Sequence, residues 1–428
     1  MKILIKDGRV IDPSQGIDGI LHVLLKDGQV AEVGSSIGAD EATVVDAKGL
    51  VVCPGLVDMH VHLREPGRED EETIETGARA AVAGGFTSIA CMPNTEPAIE
   101  GDEGVKFVLV KARDAGLAKV YPIAAATKAI KGELLAEIGA AIGAGAVAIS
   151  DDGMPIGNSS LMRRALEYTS MFGKPVISHS EDPALSGRGV MNEGRVSTIL
   201  GLKGIPNESE EVAVARDISL ARLTGGRLHI AHVSTARSLE FVREAKAHGA
   251  KVTCEITPHH FTLTDEAVKT YDTNTKMKPP LRAERDIAAL RHALKTGLAD
   301  AVASDHAPHS EEEKDQEYDA APFGIVGLET SLGLTLNELY HRGIITLAGL
   351  VRLMSTNPAR ILGLTSGTLK PGSPSDLTLF DPDKEWVVDE SKFLSASRNT
   401  PFSGWRLKGK AVTVIVNGRI LMREGEML

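Results

Sequence analysis

Between residues 54 and 366 the sequence repeats one unit: a helical stretch, a glycine stop and a short apolar strand. Val214, Ile218 and Ala221 fall at i, i+4 and i+7 on one helical face, Gly225-Gly226 ends the helix, and Leu228 to Val233 follows as a strand. The next unit repeats the pattern with Leu239, Val242 and Ala245, a stop at Gly249, and a strand from Lys251 to Thr257. On this reading strands begin near Leu56, Phe86, Lys119, Ala146, Pro175, Arg227, Lys251 and Asp300. Eight strands alternating with helices over about 310 residues predict an α/β fold, a parallel (β/α)8 TIM-type barrel. A doubly wound open sheet shares the local pattern and stays the alternative. A length of 428 residues cannot choose between one barrel with additions and several domains.

The two ends of the chain have another texture. Ile3 to Ile5, Gln29 to Val33 and Val44 to Asp46 read as short strands punctuated by turns at Asp7-Gly8, Asp27-Gly28 and Lys48-Gly49. The tail repeats the style, with strands at Asp376 to Phe380 and Ala411 to Val416 and a turn at Asn417-Gly418. If the ends meet in space, residues 1–53 and 367–428 form one small β-sandwich domain beside a metal-dependent catalytic barrel of residues 54–366. A formal charge of −11 argues against nucleic acid as the main partner. Three cysteines, Cys53, Cys91 and Cys254, make no disulfide framework in a chain this size and fit a reducing cytoplasm. The opening Met-Lys-Ile-Leu-Ile-Lys is broken by charge, and no apolar run reaches the roughly 18 residues of a membrane span. The expectation is a cytoplasmic protein with no membrane contact.

Histidine is the informative residue. Of 13, His60 and His62 sit two apart, His179 and His232 each end an apolar run, His259 and His260 are adjacent, and His306 and His309 flank Pro308. Placed on the barrel, His60 and His62 follow the first strand, Asn94 the second, Asp151 and Asp152 the fourth, His179 the fifth, His232 the sixth and Asp305 the eighth. These are all C-terminal strand ends, which share one mouth. Residues two apart on a strand face the same way, so His60 and His62 can reach one ion. Four imidazoles and two carboxylates buried together are costly unless compensated, and a divalent metal compensates them. Six donors suffice for two ions joined by a bridging carboxylate, the arrangement that activates water for hydrolysis or its reverse. Asp305 is the favoured proton carrier, with Glu255 and Asp151 as alternatives.

Two segments now suggest a family. Asp58-Met59-His60-Val61-His62-Leu63-Arg64-Glu65-Pro66-Gly67 and Ala303-Ser304-Asp305-His306-Ala307-Pro308-His309, with Lys314 beyond, resemble the signatures of the dihydroorotase family of the amidohydrolase superfamily. Met92-Pro93-Asn94-Thr95, Ser150-Asp151-Asp152-Gly153, Ile177 to Glu181, Ile230 to Ser234 and Thr257 to His260 resemble it in order and spacing. The resemblance implies two Zn2+ per subunit, with one as the alternative: His60, His62 and Asp305 on the first, His179 and His232 on the second, Asp152 between them. It implies Asp305 as the catalytic base, and His62, Arg64, Asn94 and His309, with the backbone at Phe323 and Gly324, as substrate contacts. The activity it implies is the reversible cyclisation of N-carbamoyl-L-aspartate to (S)-dihydroorotate and water in pyrimidine biosynthesis.

Hydantoinases, dihydropyrimidinases and many other dihydroorotases bridge their metals with a carbamylated lysine, but Ser150-Asp151-Asp152-Gly153 contains none, which favours the long bacterial type. One position departs from that type: Lys278 stands where Asn usually precedes the paired prolines, so a fixed amide contact is replaced by a flexible cation or lost to solvent. The segment from 306 to 327 reads as a polar loop over the mouth. The competing readings are a hydantoinase- or allantoinase-like ring opener and a silent scaffold for aspartate carbamoyltransferase. A complex with that enzyme and a homodimer are both compatible with the sequence.

Overall fold

The structure, a computed structural model, describes residues 2–38 and 40–428. The N-terminal stretch supplies β1 (Lys2–Asp12), β2 (Ile17–Lys26), β3 (Gln29–Gly34), β4 (Thr43–Asp46) and β5 (Val51–Pro54). Asp7-Gly8, expected to be a turn, lies inside β1 as a bulge: Asp7 has φ +59° and the register against β2 shifts between Ile5 and Gly8. β1 therefore runs on for 11 residues, and β2, which the sequence reading passed over, pairs with it.

The barrel strands follow as β6 (Leu56–Val61), β7 (Phe86–Cys91), β8 (Lys119–Ala124), β9 (Ala148–Ser150) and β10 (Pro175–Ser178). A small side pair, β11 (Met191–Asn192) and β12 (Gly204–Ile205), precedes β13 (Arg227–Ile230), β14 (Val252–Ile256) and β15 (Ala301–Val302). The eight barrel strands form one parallel ladder in chain order from β6 to β15. The seam closes just beyond β15, where Val61 bridges His306 and the His62 N–H donates to the His306 carbonyl at 2.8 Å. Period-two alternation sorts the side chains: Ile89 and Cys91 on β7 pack against the outer helices, whereas Ala90 joins Ile123, Ala148, Ile177 and Ala301 in a separate interior cluster. The helices Glu208–Thr224 and Ala236–Ala247 bury the expected Val214, Ile218, Ala221 and Leu239, Val242, Ala245.

The tail adds β16 (Leu377–Val387), β17 (Arg406–Val416), β18 (Arg419–Arg423) and β19 (Glu426–Met427) to the N-terminal strands, giving one nine-stranded sheet. The splice is β5 against β16, Val51 opposite Phe380 through Pro54 opposite Leu377. Val30 on β3 and Ile415 on β17 lie in one apolar cluster with Ile3, Ile5, Val23 and Leu377, so a single ladder curls around its own core to make the layered unit. Between β16 and β17 the chain leaves the sheet. Residues 388–405 form an arm whose Val388, Phe393 and Phe402 pack on Met277, Leu281, Ile325 and Val326 beside the barrel mouth.

Candidate active site

The end of β6 is locked before it reaches the mouth. Asp58 is fully buried and accepts from the backbone N–H of His60 at 3.1 Å and of Ser304 at 3.0 Å, tying the first barrel strand to the last. Burial pushes its carboxyl up to about 7, against those hydrogen bonds. Behind His60, Glu255 lies 2.7 Å from Nδ1 and also 3.2 Å from His229 Nε2. Burial raises the Glu255 carboxyl, but these two imidazoles outweigh it and hold it at about 2. Glu255 thus orients His60 from behind and does not line the cavity, which removes it as a proton carrier. Asp151 is removed in the same way, because it accepts from the backbone N–H of Ala126 and Thr127 and from the Thr127 hydroxyl.

With Nδ1 engaged, His60 Nε2 points into the mouth, 3.4 Å from Asp152 Oδ1 and 3.4 Å from Asp305 Oδ1. His62 Nε2 lies 3.2 Å from Asp305 and 3.5 Å from Asp152, and its Nδ1 lies 2.8 Å from Asn94 Oδ1. Across the mouth His179 Nδ1 is 2.9 Å from His232 Nε2, and each is 3.7 Å from Asp152 Oδ1. His232 and Asp305 reach these positions with φ of +32° and +49°, a strained backbone region for residues with side chains.

His60, His62 and Asp305 present donor atoms within 4.8 Å of one another, and so do His60, Asp152 and His232. His60 Nε2 and Asp152 Oδ1 are buried with no hydrogen-bond partner. Buried polar atoms normally have one, so this pair marks a place built for a further group. Imidazole nitrogen with carboxylate oxygen fits a divalent cation of the zinc type. Burial opposes charge on His60, yet Asp152 and Asp305 raise it well above the imidazole range; burial likewise opposes ionisation of Asp152, and His60, His179 and His232 hold it well below the carboxylate range.

A cavity of about 360 Å³ opens over this cluster. His62, Arg64, Asn94, Lys278, His309, Phe323 and Gly324 all line it, together with Asp152, His179, His232 and Asp305. Lys278 neither turns to solvent nor stands free: its Nζ is 2.9 Å from Glu181 Oε1 and 5.5 Å from the Phe323 ring centre. Burial raises the Glu181 carboxyl, but His179, Lys278 and Ser186 hold it at about 2. Gly324 is required where it stands, since φ is +124° and an added Cβ would lie 2.7 Å from the Ala307 side chain. Buried Lys314 staples the loop at its foot, donating to the Pro322 and Gly324 carbonyls. Two further buried histidines near the mouth are held by the fold. His260 contacts Thr257 and the Pro279 carbonyl, His306 bridges Glu72 and the Gly327 N–H, and burial holds His259 down to about 4.

Three further side chains brace the site. Glu71 lies 3.0 Å from Arg64 Nε and 2.9 Å from His309 Nδ1. Asn399, on the arm, accepts from the His309 N–H at 3.2 Å and donates to the Ala307 and Gly324 carbonyls at 3.1 Å each. Glu72 accepts from the arm at Ser395 and Ala396. Glu71 and Glu72 belong to the acidic run 69–72, which reads from the sequence as a solvated loop face; their burial corrects that reading, and Asn399 is recruited from 90 residues beyond His309.

A closed parallel barrel with this mouth, flanked by a sheet made of both chain ends, defines a hydrolase of the amidohydrolase superfamily. L-Hydantoinase (dihydropyrimidinase) from Arthrobacter aurescens superposes with a TM-score of 0.89 at 28% identity, over 100% of this chain and 97% of that one. Dihydropyrimidinase from Brevibacillus agri NCHU1002 superposes with a TM-score of 0.88 at 24% identity, over 100% of this chain and 96% of that one, and shares the fold. A dihydro-orotase-like family model matches residues 49–238. Dihydroorotase of Geobacter sp. (strain M21) is 57% identical over 426 residues, 99% of this chain and 100% of that protein. Dihydroorotase of Pelotomaculum thermopropionicum is 56% identical over 425 residues, 99% of each. The chain belongs to the dihydroorotase family.

Proposed function

We propose that the chain is an active dihydroorotase, interconverting N-carbamoyl-L-aspartate and (S)-dihydroorotate plus water in de novo UMP synthesis in the cytoplasm. The observation that carries this reading is the gathering of six buried nitrogen and oxygen donors, five of them lining one cavity with Arg64, Asn94 and His309 and the sixth, His60, beside Asp152 and Asp305. His60, His62 and Asp305 would hold one Zn2+, and His179 and His232 a second, with Asp152 shared; a single ion is the alternative occupancy. Such an ion supplies an acidified water and a polarised carbonyl.

The chain's own groups do the rest. Dihydroorotate is an anion, and a guanidinium with an imidazole suits its carboxylate. Asn94 has its Oδ1 turned to His62, which leaves its amide N–H groups for substrate. Burial raises Asp305, but His60, His62 and His232 outweigh it and keep it ionised well below the usual carboxylate range. It takes the proton of the attacking water and delivers it to the ring nitrogen as the amide C–N bond breaks; cyclisation reverses each transfer. Lys278, held by Glu181 beside Phe323, adds a donor to the wall.

The same reading assigns residues 1–53 and 367–428 to a supporting β domain and 54–366 to the catalytic barrel. No helix among the described residues is long and apolar enough to cross a membrane. The test is turnover of dihydroorotate, hydantoin and allantoin by the isolated chain, with metal analysis on the same sample. Turnover of dihydroorotate with the other two inert is expected. Preference for hydantoin or allantoin, or inactivity of the metal-loaded chain, overturns the reading. Sedimentation of the chain alone and with aspartate carbamoyltransferase decides between a homodimer and a mixed complex.

A further inference from the structure

The groups that would grip substrate are themselves gripped, and one side chain does most of it. Arg64 follows β6 and His309 follows β15, so they arrive from opposite ends of the barrel sequence. Between them sits Glu71, 1% exposed, in the loop before the helix Ile74–Gly84. Its Oε2 lies 3.0 Å from Arg64 Nε, and its Oε1 accepts from His309 Nδ1 at 2.9 Å. Arg68 donates to the same Oε1 at 3.1 Å and to Glu313 at 2.7 Å. Glu71 is anchored in turn: its backbone N–H donates to the Arg68 carbonyl at 3.0 Å, and its carbonyl accepts from the Ser397 hydroxyl of the arm at 2.7 Å.

Glu71, His309 and Glu313 present ligand atoms within 4.8 Å, the spacing of a cation site. That role is already filled, because Arg64 and Arg68 supply the positive charge at both carboxylates. What remains is orientation. Arg64 donates its Nε–H to the Pro308 carbonyl at 3.1 Å with Glu71 Oε2 beside it at 3.0 Å, and its Nη2 lies 3.4 Å from His309 Nε2, so the guanidinium is fixed against the imidazole. With His309 Nδ1 committed to Glu71, the ring plane is set and Nε2 lies 2.8 Å from the Phe323 carbonyl at the cavity. One buried carboxylate therefore fixes the relative geometry of Arg64 and His309, which meet at 3.4 Å in the wall of one cavity, and that is preorganisation of a binding site.

We propose that Glu71 is a positioning residue for this reaction, fixing Arg64 and His309 as one rigid carboxylate clamp. The inference rests on the dihydroorotase reading above. The experiment is Glu71→Gln in the full metal-loaded chain, which keeps the shape but turns an amide N–H towards one of the two donors. KM for dihydroorotate should rise tenfold or more while kcat stays within threefold and metal content is unchanged. In an Arg64→Ala background the same substitution should raise KM less than twofold further, since the clamp is already broken. Glu71→Asp, which keeps the charge one methylene short, should give an intermediate KM and covers a Gln variant that fails to fold. Independently of turnover, ¹⁵N-histidine spectra should show the hydrogen-bonded His309 Nδ1–H in the wild type and lose it in Glu71→Gln. An unchanged KM, a fall in kcat alone, full additivity with Arg64→Ala, or an unaltered His309 signal overturns the inference. A wild type inert towards dihydroorotate fails the functional reading instead, and the spectra still decide the geometry.

Discussion

On the proposed reading, Asp305 stands at the junction of two jobs at the mouth, holding charge and moving a proton. Its φ of +49° and its 3.2 Å approach to His62 aim the carboxylate into the cavity. Asp305→Asn should therefore cut turnover in both directions by about 10³-fold, with metal retained on analysis; full activity in a metal-replete variant would remove it as the base. Lys278 makes a second point at this scale. Its ion pair with Glu181 is partly buried, so Lys278→Met leaves that carboxylate with the Ser186 hydroxyl alone as a close donor and should lower unfolding free energy by about 1 kcal/mol in a denaturant titration. His60, His62, His179, His232 and Asp305 were legible in the sequence because each ends a strand whose register the apolar run announces. Glu71 and Asn399 were not, because a carboxylate or amide in a polar loop looks the same whether it faces water or a buried guanidinium.

The elements divide along the same line. The barrel strands were readable since a glycine stop and a short apolar run mark each one, and β9 begins at Ala148, only two residues beyond the expected Ala146. Asp7-Gly8 misled because a positive φ beside glycine serves a bulge as well as a turn; packing decided it, since a Cβ at Gly8 would come within 2.4 Å of Val52. The arm between β16 and β17 has no periodicity, so its work was invisible until folded. Its Leu394 and Ser395 N–H groups donate to Glu329, whose carboxyl burial pushes up to about 7 against those bonds. The folded state then binds a proton more tightly than the unfolded chain between its ordinary carboxyl range and about 7. Its contribution to stability is full below that window and is lost as pH rises through it. Glu329→Gln should abolish this slope, so that the variant gains about 1–3 kcal/mol over wild type between pH 4 and pH 8 in unfolding titrations.

For the whole molecule, the mouth is where folding free energy and activity meet. Six mutually close imidazoles and carboxylates are tolerated when a cation compensates them, so chelation should lower the melting temperature by several degrees and stop turnover together. Re-addition of Zn2+ should restore both; a melting temperature indifferent to chelation would mean that the cluster is compensated by protons alone. The formal charge of −11 does not conflict with an anionic substrate, because on the proposed reading recognition would be local to Arg64 and His309 beside the cluster that would hold the metal.

The splice of β5 to β16 also sets an order of events during synthesis. Residues 51–54 wait for residues 377–380 before that edge is paired, and Ser397 and Asn399 are made later still. A chain emerging from the ribosome thus has every strand of its barrel before it has the brace that sets the clamp. Chains stalled short of the arm should resist proteolysis across the early barrel yet bind dihydroorotate weakly, and maturation of the enzyme becomes the docking of a late-made segment onto an early one.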